Sequence, residues 1–199
     1  MRLLAIPALV AAILIGVPSA SAEEPPAGRA APAPENPAPP QSDIDSLFGE
    51  LKNAPDAASA KAAEAAILQH FLHSGSDTVD LLMSWAIQSM NKEDYGLALD
   101  LLDSIVAMKP DYAEGWNKRA TVYYLADEFG KSLADIGQVL ALQPRHFGAL
   151  SGLGMILRDI GQTDKAITVF REALAIDPYL ENVKRALEEL EKEAAGQGI

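Results

Sequence analysis

Asp111 to Pro144 reads DYAEGWNKRATVYYLADEFGKSLADIGQVLALQP, and its pattern of large, small and aromatic residues returns on both sides at a constant interval. Prolines 110, 144 and 178 are each 34 residues apart. Counting back from each proline in one register aligns Ala107, Ala141 and Ala175, then Val106, Leu140 and Leu174, then Leu102, Ile136 and Phe170. The rows continue with Ala98, Ser132 and Ala166, with Ser89, Tyr123 and Leu157, with Ala86, Ala120 and Gly154, and with Leu82, Trp116 and Leu150. A fixed interval of this length means one supersecondary unit repeated. Within each unit the apolar rows fall at helical spacing in two blocks, 79–91 and 96–109 in the first, parted by Asn91-Lys92-Glu93-Asp94. Each unit is therefore predicted to be a helical hairpin. The small rows let its helices approach, Trp116, Tyr123, Phe129 and Phe170 fill the gaps beside them, and the proline prevents continuation of the second helix.

These residues resemble the tetratricopeptide repeat family, whose unit is a helix-turn-helix of this length. The match spans 77–178 as units 77–110, 111–144 and 145–178, and it implies an all-α, right-handed α-solenoid. The middle unit fits best, through Trp116, Ala120, Tyr123, Phe129 and Pro144. In the first, Ser89 stands where the family has an aromatic residue, and no glycine breaks the hairpin.

The flanks suit an array whose open ends need capping. After Pro178, Leu180, Val183, Leu187 and Leu190 share one helix face and charged residues the other, so 179–199 reads as a capping helix with a frayed tail from Ala194. Before the array, Ile44, Leu47, Phe48 and Leu51 mark a short helix stopped at Ala54-Pro55, and an alanine-rich helix follows to His73. Residues 42–76 are expected to form a degenerate fourth hairpin. Residues 23–41 are rich in proline and alanine and read as a semi-rigid linker. Met1-Arg2, the apolar run Leu3 to Val17 and Ala20-Ser21-Ala22 describe a secretory signal peptide, 1–22, cut after Ala22. That run is short for a bilayer span, so no stable membrane insertion is expected after cleavage. An exported chain that has no cysteine fits the bacterial periplasm.

Composition removes whole classes of function. Without cysteine there is no disulfide framework, thiol nucleophile, cysteine-based zinc site or lipoprotein anchor. With 28 acidic against 16 basic residues the net charge is −12, which argues against nucleic acid as a partner. His70 and His73, three apart on a helix, lack a third ligand nearby, and His146 reads as structural or solvent-facing. Gly152-Leu153-Gly154 lies inside a helix and lacks the lysine and hydroxyl of a phosphate loop, so Gly148 and Gly152 read instead as space on an inner face. No catalytic constellation, metal site or cofactor is expected.

The resemblance places function in a concave groove lined by the first helix of each hairpin. Carried over row by row, the partner-binding residues are Asp80 and Glu114 (with Gly148), Met83, Asn117 and Ser151, Ile87, Thr121 and Met155, and Met90, Tyr124 and Arg158. The expected groove is apolar at its amino end and polar to basic at Arg158, which would meet a carboxylate. Family members that bind chaperones use a lysine and asparagine clamp for an acidic tail; with Met83 and Ile87 ahead of Asn117 and Lys118, that clamp is incomplete here. The expectation is a non-enzymatic exported scaffold that binds a protein or peptide segment in the cell envelope. The alternative is an accessory subunit of an envelope enzyme in wall or polysaccharide assembly.

Overall fold

The computed structural model describes residues 41–196. The leader 1–22 and the linker as far as Pro40 lie outside the described residues; Gln41 already opens the first helix. The described helices are α1 (Gln41–Lys52), α2 (Ala57–Leu72), α3 (Asp77–Asn91), α4 (Tyr95–Met108), α5 (Ala113–Leu125), α6 (Phe129–Leu142), α7 (Phe147–Asp159), α8 (Thr163–Ile176) and α9 (Glu181–Gly196). From α3 onward the chain is a solenoid. α3 pairs with α4, α5 with α6 and α7 with α8, while α4 lies along α5, α6 along α7 and α8 along α9. Of the tail expected to fray, Ala194 to Gly196 are helical, and 197–199 lie outside the described residues.

The turn inside each hairpin has one backbone solution used three times. Glu93, Asp127 and Gly161 occupy one row of the repeat and all take positive φ, at 59°, 57° and 76°. Only the third unit has the residue that adopts this conformation without cost. Asp94 then caps α4, its carboxylate accepting from the Leu97 N–H at 3.2 Å. The small rows work as close approaches: Ala86, Ala98, Ala120, Ser132 and Ala166 are buried, and the Ser132 hydroxyl donates to the Ala120 carbonyl at 2.8 Å.

The N-terminal hairpin departs from solenoid order. α2 does not lie along α3 as α4 lies along α5; α1 and α2 reach α8 and α5 instead. Ile44, Phe48, Leu51, Ala60, Ala63, Ile67 and Phe71 form a core with Phe147, joined by Ile176, Tyr179 and Leu180. The hairpin thus runs along the junctions between units. Tyr112, His146 and Leu180 are one row of the repeat, and each meets it. The Tyr112 hydroxyl donates to the Leu72 carbonyl at 2.8 Å, the His146 ring stacks on Phe71 at 4.5 Å, and Leu180 packs in the shared core. Tyr179 adds a hydroxyl bond to the Ala54 carbonyl at 3.0 Å, and Arg145 pairs with Asp45 while lying 4.2 Å over the Phe48 ring. Burial of Phe48, Leu51, Ile67 and Phe71, each contributing about 1.5–3 kcal/mol, holds the hairpin on this junction.

Candidate functional site

On the side where α5 neighbours both α3 and α7, the first helices form one face. Between α5 and α7 this face opens into a slot of about 100 Å3. Its floor is Ala120, Ser132, Ile136, Ala149 and Ile156, its α5 rim is Asn117, Thr121 and Tyr124, and its α7 rim is Gly148 and Gly152. The glycines make the opening. A Cβ at Gly152 would stand 3.7 Å from the Ile136 Cδ1, over the floor, and one at Gly148 would meet His146 Cε1 at 3.3 Å. An aliphatic side chain fits this floor by size and polarity. A wider hollow of about 460 Å3 lies between Gly161–Lys165 and the end of α9, but all its lining residues except Thr163 are exposed, so it offers no buried floor to hold a ligand.

Beneath the α5 rim is a buried polar set. Glu114, 3% exposed, takes His146 Nε2 at 2.9 Å, Lys118 Nζ at 2.9 Å and Asn117 Nδ2 at 3.1 Å. His146 Nδ1 accepts the Ala149 N–H at 3.1 Å, which caps α7 and assigns the ring proton to Nε2, donating to Glu114. Burial alone would raise the Glu114 carboxyl, but the His146 bond and the charge of Lys118 outweigh it and hold the group below the usual carboxylate range. Asn117 is thereby fixed as a donor to Glu114, and its amide oxygen is left to accept a partner's backbone N–H.

At the other end Tyr124 stacks on Phe129 at 5.7 Å and donates to Asp159 Oδ2 at 2.8 Å. Arg158 sends Nε and Nη2 to Asp159 Oδ1 at 3.0 and 2.9 Å. Burial, with Asp159 beside it, pushes the Tyr124 hydroxyl pKa up. These bonds tie α5 to the end of α7.

The structure disperses the sequence-derived residues. Asn117, Thr121 and Tyr124 come together at the slot. Ser151, Met155 and Arg158 lie on α7 outside its lining; Ser151 donates to the Phe147 carbonyl, and Met155 packs on the core shared by α7, α8 and α9. Met83 does not face a groove: it is 2% exposed in the core of the first unit, with Ile87 and Met90 packed against the same core. Asp80 is occupied at the α2–α3 link, where it accepts the Ser74 N–H at 2.8 Å and meets His73 Nδ1 at 3.0 Å. Glu114 is buried, and the forked cation expected at Arg158 is already neutralised by its own neighbour. The apolar end of the site is therefore the slot floor rather than Met83 and Ile87.

Gly152 was legible as space, but its role needed the position of Ile136. Arg119 carried no sequence signal: it joins Asp103 on α4 at 2.8 Å to Asp135 on α6 at 2.7 Å, each 16 residues away, and its bond to Asp135 raises its pKa further. Among the described residues no three His, Asp or Glu side chains are placed to hold a metal ion, and no helix is long and apolar enough to cross a membrane.

Comparison with known proteins follows the same lines. Residues 119–181 match the family model described as tetratricopeptide repeat. A TPR repeat-containing protein of Rhizobium etli is 38% identical over 157 residues, covering 79% of this chain and 77% of that protein. Among solved structures, the Sgt2 TPR domain of Aspergillus fumigatus superposes with a TM-score of 0.58 at 20% identity, over 62% of this chain and 83% of that one. The first TPR of Spaghetti (RPAP3), solved with an HSP90 peptide bound, gives 0.57 at 17% identity, over 59% and 93%.

Proposed function

The chain belongs to the tetratricopeptide repeat family, and from that membership we propose that it is a non-enzymatic, exported scaffold that holds an extended protein segment against α5 and α7. The observation that carries the reading is the slot floored by Ala120, Ile136, Ala149 and Ile156, which two glycines leave open beside a polar rim. A bound segment places one aliphatic side chain, of valine to leucine size, in the slot, and its backbone pairs with Asn117 and Thr121. Peptide capture by a similar fold, as in the RPAP3 domain with its HSP90 peptide, supports the class of partner. An acidic chaperone tail is not the segment proposed, because Lys118 is committed to Glu114. Export rests on the sequence of residues 1–22, and the site of action proposed is the cell envelope, most simply a bacterial periplasm.

Peptides selected by display on the chain from Glu23 onward should share one aliphatic position. Gly152→Val should fill the slot and weaken them by about tenfold or more, with far-UV circular dichroism unchanged. Equal affinity for wild type and Gly152→Val would contradict the assignment of the site. Protein recovered from its native host should begin at Glu23 by mass spectrometry; an intact Met1 would contradict export with cleavage.

A further inference from the structure

The two ends of the array are finished differently. On the last helix, α9, the outer residues Glu181, Arg185, Glu188, Glu189 and Lys192 are exposed and charged, as a capped solenoid end requires. At the first helix of the array, α3, there is no such finish. Leu81, Gly115 and Ala149 form one row of the repeat, and Trp85, Arg119 and Leu153 another. In the second unit α4 covers these rows: a Cβ at Gly115 would lie 2.8 Å from Ile105 Cγ2, and Arg119 reaches Asp103. In the third unit Ala149 is 1% exposed and Leu153 packs with Ile136 and Val139 of α6. The first unit has no preceding helix in that place, because α1 and α2 are spent on the junction row, and Leu81 and Trp85 stand 49% and 48% exposed.

We propose that this face pairs with the same face of a second copy of the chain, α3 against α3 about a two-fold axis. Charge decides the occupant. From Leu81 to Asn91 the helix carries no ionisable residue, in a chain of net charge −12, so this is a place where two copies meet without bringing like charges together. Head-to-tail stacking on α9 would press an apolar face onto a charged one. Among the described residues, α3 is the one helix with two large exposed apolar side chains a single turn apart, so the face that lacks a cover and the face able to cover it are the same. A self-complementary contact closes as a dimer rather than growing into a filament. The patch is small, so the contact is weak and reversible, and chain concentrations of about 10–100 µM are the range in which to look for it.

Sedimentation equilibrium of the chain from Glu23 onward across that range should show a monomer–dimer equilibrium, and Trp85→Glu should weaken it by about tenfold or more with helical content retained. Because the natural chain has no cysteine, Ser84→Cys introduces a single thiol beside the axis. It should form an interchain disulfide under mild oxidation, whereas Glu188→Cys on α9 should not. A wild-type chain that stays monomeric throughout, dimerisation equal in Trp85→Glu, or crosslinking that favours Glu188→Cys would each overturn the proposal.

Discussion

Replacing Gly154 by alanine tests the packing at the crossing of α7 and α8. The added Cβ would stand 2.3 Å from Cε1, 2.4 Å from Cδ1 and 2.9 Å from Cζ of Phe170. Carbon atoms in contact sit about 3.5–4.0 Å apart, so the ring has to yield by more than an ångström. It has nowhere to go: Phe170 is 0% exposed among Leu150, Leu157, Ala173 and Val183. Overpacking of this kind costs about 1–3 kcal/mol, and the overlap is with a buried ring rather than a flexible tip, which points to the upper end or beyond. Alanine returns about 1 kcal/mol of helix propensity, leaving a net loss of about 2 kcal/mol. For a chain of this size that lowers the melting temperature by about 4–8 °C, readable by far-UV circular dichroism. In a Phe170→Leu background the same substitution should cost much less, because the obstructing ring edge is gone. A melting temperature unchanged or raised by Gly154→Ala, or an effect identical in both backgrounds, would refute the argument.

Glu93→Gly should stabilise the chain by roughly 0.5–1 kcal/mol in chemical denaturation, because it brings to the first turn the residue that the third already has at φ 76°. Glu114→Gln should destabilise by about 1–3 kcal/mol at neutral pH, by losing the charge that faces Lys118 and His146. The Glu114 carboxyl titrates lower in the folded chain than in the unfolded one. Its contribution is therefore present above the unfolded value of about 4.3 and fades as pH falls through the folded value, so the gap between wild type and Glu114→Gln should narrow in that acid window. Taking the difference between the two proteins separates Glu114 from Glu64 and Asp177, whose carboxyls burial pushes up.

The solenoid was legible because its cause is local and repeated. Ala120, Ser132 and Pro144 state their roles through spacing alone, and the rows of Trp116 and Phe170 carry the same message three times. The site was legible in part, for a physical reason: a row in a repeat says which helix face a residue occupies, not what else has arrived there. Met83 sits on the right row yet is drawn into the core of the first unit. Glu114 sits on the right row yet lies in contact with His146, 32 residues away, at a junction that the N-terminal hairpin then covers. The path of α1 and α2 was hidden because Arg145 and Tyr179 share a row of the repeat but their partners do not: Asp45 and Ala54 lie outside the periodic units, at separations of 100 and 125 residues. Arg158 reads as a free cation in sequence, and only the side-chain geometry shows Asp159 gathering both it and Tyr124.

Nitrogen-15 chemical-shift mapping of the chain from Glu23 onward, titrated with a display-selected peptide, tests most directly whether a protein segment binds between α5 and α7. The account predicts the largest shifts at Asn117, Thr121, Gly148, Ala149 and Gly152, with α9 unmoved. Shifts concentrated on α9, or on the proline-rich residues 23–40, with the α5–α7 amides silent, would contradict it.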